Sequence, residues 1–170
     1  PRTPAPVVYF LSGTLPAPAI LHKRQFGLLL MIANLGPSNI LWRHGTYILH
    51  HEIQHSWFTR VRELTLQYSL PDPLVTLTSP PSSKPAWKAA VHRAVTTYWH
   101  RSLVAEAEAL PSLQFLRPSF IPLGSGTHPL WTTCGSSTTA VRAATVHARM
   151  LSGRYRTDWL QRHWTGGSGA

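Results

Sequence analysis

The chain has 170 residues, 43% hydrophobic and only 13% charged, with a net charge of +10 and a pI near 10.9. That is apolar enough to build a core, and one cysteine, Cys134, excludes both an intrachain disulfide framework and a cysteine-rich zinc knuckle within these residues. The best candidate for a membrane span, Phe26 to Leu35, is far too short and is interrupted by Gly27 and Asn34.

The prolines of Pro1 to Leu15 predict an extended lead-in. Pro16 and Pro18 open a helix expected to run to about Asn34, with Ile20, Leu21, Leu28, Met31, Ile32 and Leu35 on a wide apolar face. Gly36-Pro37 stops it, because glycine takes the left-handed cap and proline cannot continue a helix. Ser38 is expected to cap a second helix, about Asn39 to His50, and Ser56 a third, Trp57 to Tyr68. Leu70-Pro71-Asp72-Pro73 reads as a turn, followed by a short helix or extended run over Leu74 to Leu77.

Ser79 to Pro85 is the clearest loop. Pro85 then suits the first turn of the longest predicted helix, about Ala86 to Ala109, with Trp87, Val91, Val95, Tyr98 and Val104 at helical spacing. Pro111 to His128 reads as irregular, with a short strand at Leu113 to Leu116 as one option. Ser137 caps a helix to about Ser152, Gly153 ends it, and Thr157 with Asp158 opens a last short helix to Trp164. The expectation is an all-α, irregular helical array with proline-rich connections. Its parts are a lead-in over 1–15, a first helical group over 16–78, a loop over 79–85, a second helical group over 86–164 with a basic helix-turn-helix-like end, and a flexible tail over 165–170. Pro1 and the closing Gly-Gly-Ser-Gly-Ala read as cuts or linkers, so a fragment of a longer product is expected.

Thirteen of the sixteen cations are arginine, against six acids. The cations concentrate near the end, where Arg142, Arg149, Arg154, Arg156 and Arg162 accompany a single acid, Asp158, and are interleaved with Tyr155, Trp159 and Trp164. Cations neutralise phosphates and aromatic faces stack on bases, so Arg142, Arg149, Arg154, Tyr155, Arg156, Trp159 and Arg162 form the candidate nucleic-acid-binding set. Trp57, Trp87 and Trp99 are instead expected in the core by their spacing.

Catalytic readings are weaker. His51-Glu52-Ile53-Gln54-His55 matches H-E-x-x-H, which on a helix presents two imidazoles to zinc and leaves the glutamate to polarise a water. The third ligand is missing: Phe58 and Val61 stand where a longer zinc motif needs glycine and histidine, and Ser56 looks like a cap, which places the string at a helix end or in a loop. A polymerase or nuclease using two metals needs converging carboxylates, but Asp72 sits between prolines and Glu106 and Glu108 point to different helix faces. Gly124-Ser125-Gly126-Thr127 lacks the Lys-Ser or Lys-Thr of a phosphate-cradling loop, and Cys134 near His128 reads as an ordinary thiol. No cofactor, resident metal or catalytic residue is expected for this chain.

Several ordered segments carry a resemblance. They are F-L-S-G-T-L-P from Phe10, L-H-K-R-Q-F-G-L-L from Leu21, S-W-F-T-R-V-R-E-L-T-L-Q-Y-S-L-P-D-P from Ser56, S-P-P-S-S-K-P-A-W-K from Ser79, L-R-P-S-F from Leu116, H-P-L-W from His128 and A-R-M-L-S-G-R-Y-R-T from Ala148. In this order they resemble the region C-terminal to the reverse transcriptase core of non-LTR, LINE-like retrotransposon polyproteins. The resemblance covers nearly the whole chain. It implies a helical thumb-and-connector segment that helps to hold RNA and DNA, within an RNA-directed DNA polymerase acting inside the cell, the nucleus included. Its partners would be nucleic acid and the remainder of the polyprotein, with no membrane. The family's palm, with its paired aspartates, is absent here, and so is the Cys/His element that often follows this region. Two alternatives stay open: a zinc-dependent hydrolase built on His51, Glu52 and His55, and a degenerate fragment without function.

Overall fold

The computed structural model describes residues 3–113, 116–118, 121–124, 128–132 and 137–153. Among the described residues there are helices and turns and no strand, so the protein is all-α. The chain divides into two units, Leu15–Trp99 on one hand and Pro1–Thr14 with His100–Ala170 on the other.

The unit Leu15–Trp99 contains α2 (Ala17–Ala33), α3 (Ile40–His50), α4 (Trp57–Tyr68), α5 (Pro73–Thr78) and the first part of α6 (Lys84–Glu108). Pro18 lies in the first turn of α2, where its missing N–H costs nothing, and Gly36 adopts φ 74 ahead of Pro37, as the sequence predicts. The start of α3 differs from expectation. Asn39, not Ser38, is the cap, and its Oδ1 accepts from the Leu41 N–H at 2.9 Å. The amide oxygen of asparagine reaches the second helical N–H as well as a serine hydroxyl does. Ser56 caps α4 as expected, accepting from the Thr59 N–H at 3.0 Å. The run after Pro73 is a helix rather than extended, because Asp72 Oδ1 accepts from the Leu74 N–H at 2.7 Å and Pro73 presets the first turn.

This unit packs α2 and α3 against α5, and α3 against α4, around Phe26, Leu29, Phe58, Val61, Leu64, Leu77 and Val95. The α3–α4 approach is tight: a Cβ on Gly45 would meet Cε1 of the buried Phe58 ring at 2.5 Å. Polar side chains stitch the helices together. Arg62 on α4 donates to Asp72 Oδ2 at 3.0 Å and to the Leu49 carbonyl of α3 at 3.1 Å. Trp42 Nε1 donates to the Leu77 carbonyl at the end of α5. Trp87 is buried, as expected, and its Nε1 donates to the Phe26 carbonyl. Trp57 and Trp99 depart from the expected core positions and are only half-buried. Their large amphipathic rings sit at the core edge, Trp57 edge-on to Phe58 and Trp99 donating to the Tyr68 hydroxyl at 3.0 Å.

The Tyr68 hydroxyl also shares a hydrogen bond with His22 Nδ1, 2.6 Å away, so it links Trp99 to His22. Burial, and after it the Arg60 cation, hold His22 below its ordinary value of 6.5. His92 is lowered as well, by burial and then by Lys23, whose ammonium donates to His92 Nδ1 at 2.8 Å.

The other unit holds α1 (Ala5–Ser12), the end of α6, a 3₁₀ turn (Pro111–Leu113), α7 (Pro129–Thr132) and α8 (Thr138–Leu151). Here α1 overturns the expected extended lead-in. Pro4 precedes the helix and Pro6 falls in its first turn, where prolines are compatible with helix, and Val7, Phe10 and Leu11 bury one side. Gly13, at φ 66, ends it and its carbonyl accepts from the Gly124 N–H. The strand option at Leu113 to Leu116 also fails: Leu113 belongs to the 3₁₀ turn, and the Leu116 N–H bonds the Leu113 carbonyl. Buried apolar residues of this unit include Phe10, Leu103, Ala107, Leu113, Leu116 and Leu123, and the Phe10 ring meets His100 edge-on at 5.7 Å.

Two outcomes test this description. Asp72→Ala removes the α5 cap and the Arg62 partner together and lowers stability by about 1–2 kcal/mol in a denaturant titration, whereas Asp72→Asn, which keeps a capping oxygen, costs less than about 1 kcal/mol. For His22 the folded-state value is depressed, so its contribution is complete above 6.5 and is lost as pH falls through the lowered value. The melting temperature accordingly drops as pH falls below 6.5, and His22→Gln, which can still bond Tyr68 but does not titrate, makes the drop smaller.

Candidate nucleic-acid interface

The basic end of the chain enters the described residues as α8, T-T-A-V-R-A-A-T-V-H-A-R-M-L, which contains no acid. Ser137 precedes it with extended backbone but makes no side-chain cap bond. Alanine at 140, 143, 144 and 148 favours the helix, and of its residues only Ala144 is buried. Arg142 and Arg149 are both exposed and lie seven residues apart, so they share one side of the helix two turns from each other. Arg149 occupies the last turn, where the negative end of the helix dipole favours a cation. Among the described residues the ion pairs are Arg60–Glu63 and Arg62–Asp72, and neither involves α8.

The end of α8 is anchored. Ser152 is buried and its hydroxyl donates to the Arg149 carbonyl at 3.0 Å. Gly153, at φ 65, terminates the helix as the sequence predicts, and a Cβ there would collide with the Ser112 carbonyl of the 3₁₀ turn.

Beside Arg149 runs a groove of about 450 Å³. One wall is Val7, Val8, Leu11 and Ser12 of α1, with Thr3 ahead of it, the other is Thr145, Ala148, Arg149 and Ser152 of α8, and Trp131 of α7 closes it. The Trp131 indole donates to the Leu11 carbonyl at 2.8 Å, which holds the ring against α1 while 37% of the residue stays exposed. A short apolar trough with one planar aromatic and one guanidinium at its edge suits a flat ring bearing a nearby anion.

Of the seven residues predicted to bind nucleic acid, Arg142 and Arg149 come together on α8, while Arg154, Tyr155, Arg156, Trp159 and Arg162 lie outside the described residues, as does the last predicted helix. Sequence reasoning missed Trp131 and the α1 wall. Trp131 sits at no helical period with the other tryptophans, and its partner Leu11 is 120 residues away.

The H-E-x-x-H string does not lie on a helix. His51 ends α3 with its ring 4.4 Å from Tyr47, Glu52 and His55 take φ of 50 and 61, and the Ile53 N–H closes the helix end on the Ile48 carbonyl. This is a left-handed helix stop in which the glutamate occupies the position glycine usually takes. No group of three metal-ligating side chains gathers among the described residues. His128 caps α7 by accepting from the Leu130 N–H at 3.0 Å, and burial lowers its value, while Cys134 lies outside the described residues. No protein-family model, no curated protein and no solved structure matches the chain.

The helix stop gives a paired test. Gly36→Ala meets no atom within 4 Å and bears only the left-handed backbone cost, about 1 kcal/mol. Gly153→Ala adds the collision with Ser112, so its loss is larger, about 2 kcal/mol or more, by chemical denaturation.

Proposed function

We propose that this chain is a non-catalytic, nucleic-acid-binding segment, thumb- or connector-like, of a retrotransposon reverse transcriptase that works inside the cell. The observation that supports it most is the meeting of an acid-free helix bearing exposed Arg142 and Arg149 with a groove walled by the exposed Trp131 ring. Phosphates would lie along the arginine side of α8, and a base would enter the groove against the indole. Glu106 and Glu108 are both exposed on α6 and two residues apart, so they do not converge as a two-metal site requires. The ordered segments that resemble the retrotransposon region supply the class of parent protein, and the net charge of +10 supplies the sequence-independent attraction.

The test is binding of fluorescent single-stranded RNA to the full chain at two or more salt concentrations. Affinity falls steeply with salt, and each arginine lost from a phosphate contact flattens the logarithmic slope by roughly 0.7. Arg142→Ala with Arg149→Ala therefore weakens binding and flattens the slope by up to about 1.4. Trp131→Ala weakens binding by about 1–3 kcal/mol and leaves the slope in place, because stacking releases no counterions. Unchanged affinity in the double arginine variant, with its fold intact by circular dichroism, refutes this reading.

A further inference from the structure

Beyond the polar turn His22-Lys23-Arg24-Gln25, α2 is apolar on every side, and a helical stretch of that kind is normally buried all round. It is not. Phe26, Leu29, Leu30 and Ile32 face the core, but Leu21, Leu28 and Met31 are 56%, 40% and 54% exposed, and Leu35 just past the helix is 42% exposed. With Arg24, also exposed, these residues fall at intervals of three, four, three and four, the spacing of a coiled-coil seam. Gly27 is exposed beside Leu28, and a Cβ added there would meet nothing within 4 Å, so another backbone can approach closely at the middle of the stripe. The stripe is one helix wide and about as long as α2 itself.

We propose that this face of α2 docks a single amphipathic helix of another protein, one that carries leucine-type residues along its seam and a carboxylate opposite Arg24. Charge selects this occupant. Arg24 is the one ionised side chain in the stripe, and the sequence contains no acid before Glu52, so neither α2 nor α3 can supply its counter-ion. A second copy of this chain would bring further cations in place of the missing carboxylate, on top of a net charge of +10 per chain. An acidic partner meets both demands: the leucines cover the exposed apolar residues and the carboxylate pairs with the guanidinium.

Two synthetic three-heptad peptides test this on the full chain by fluorescence anisotropy. Both have leucine at the seam positions, and the residue that faces Arg24 is glutamate in one and lysine in the other. The glutamate peptide binds roughly tenfold or more tighter than the lysine peptide, and Arg24→Glu reverses that order. Leu28→Gln with Met31→Gln abolishes binding of both while RNA affinity is retained, which separates this surface from α8. Absence of binding, equal binding of the two peptides, a dimer in sedimentation that the glutamine variant dissolves, or capture by anionic lipid vesicles that the same variant blocks would each overturn the proposal, the last two by naming a different occupant.

Discussion

The constraint from which most of this structure follows is a shortage of carboxylates. Sixteen lysines and arginines share six acids, and no described helix has an acid in its first turn. The positive ends of the helix dipoles are therefore met in other ways. Pro6, Pro18 and Pro73 remove N–H groups that would have no partner, and Asn39, Ser56 and Asp72 accept from those that remain. Asp72 serves twice, capping α5 with one oxygen and receiving Arg62 on the other, while Arg62 reaches on to a carbonyl in the last turn of α3. One carboxylate and one guanidinium thus tie three helices, and the Arg62 side chain, only 24% exposed, is the better shielded of the pair. The same shortage leaves Arg24, Arg142 and Arg149 at the surface without a carboxylate from their own helices.

What the sequence made legible was local. Pro16 with Pro18, Gly36-Pro37, Ser56, Pro85 and Gly153 bound the helices where they were expected, because each acts within a turn of itself. The errors had two origins. Proline density near the start read as extended chain, although Pro4 and Pro6 both fall where a helix tolerates proline, and only the burial of Phe10 and Leu11 decides for α1. Spacing put Trp57 and Trp99 in the core, yet indole rings with an N–H to satisfy settle at its margin, as Trp99 does on the Tyr68 hydroxyl. The groove was beyond reach for a third reason: Leu11 and Trp131 meet through a carbonyl, and no side-chain pattern encodes a backbone acceptor.

The H-E-x-x-H string shows how little a string fixes without its backbone. On a helix, His51 and His55 would stand one turn apart on a single face. Here left-handed Glu52 and His55 interrupt the helical progression, and the segment serves instead to end α3 and to set up Ser56 as the cap of α4. Non-glycine residues at positive φ carry a backbone cost of about 1–2 kcal/mol each. That cost is met in a polar turn where Glu52, Gln54 and His55 remain in water and the Ile53 N–H keeps its bond to Ile48.

The same physical argument separates α2 from α8, though each leaves apolar side chains in solvent. On α8, Val141, Val146 and Met150 are exposed among arginine and histidine, so the apolar side chains there form no continuous strip. On α2 the exposed leucines and Met31 keep a single line broken only by Arg24, and the half of the helix that faces inward is already fully used by Phe26, Leu29 and Leu30. Burying the outer half is the remaining gain open to that helix, at roughly 25 cal/mol per Å² of apolar surface, and a polyanion offers no apolar surface with which to do it. The two exposed faces thus differ in chemistry, α8 presenting cations with scattered apolar residues and α2 a line of apolar side chains.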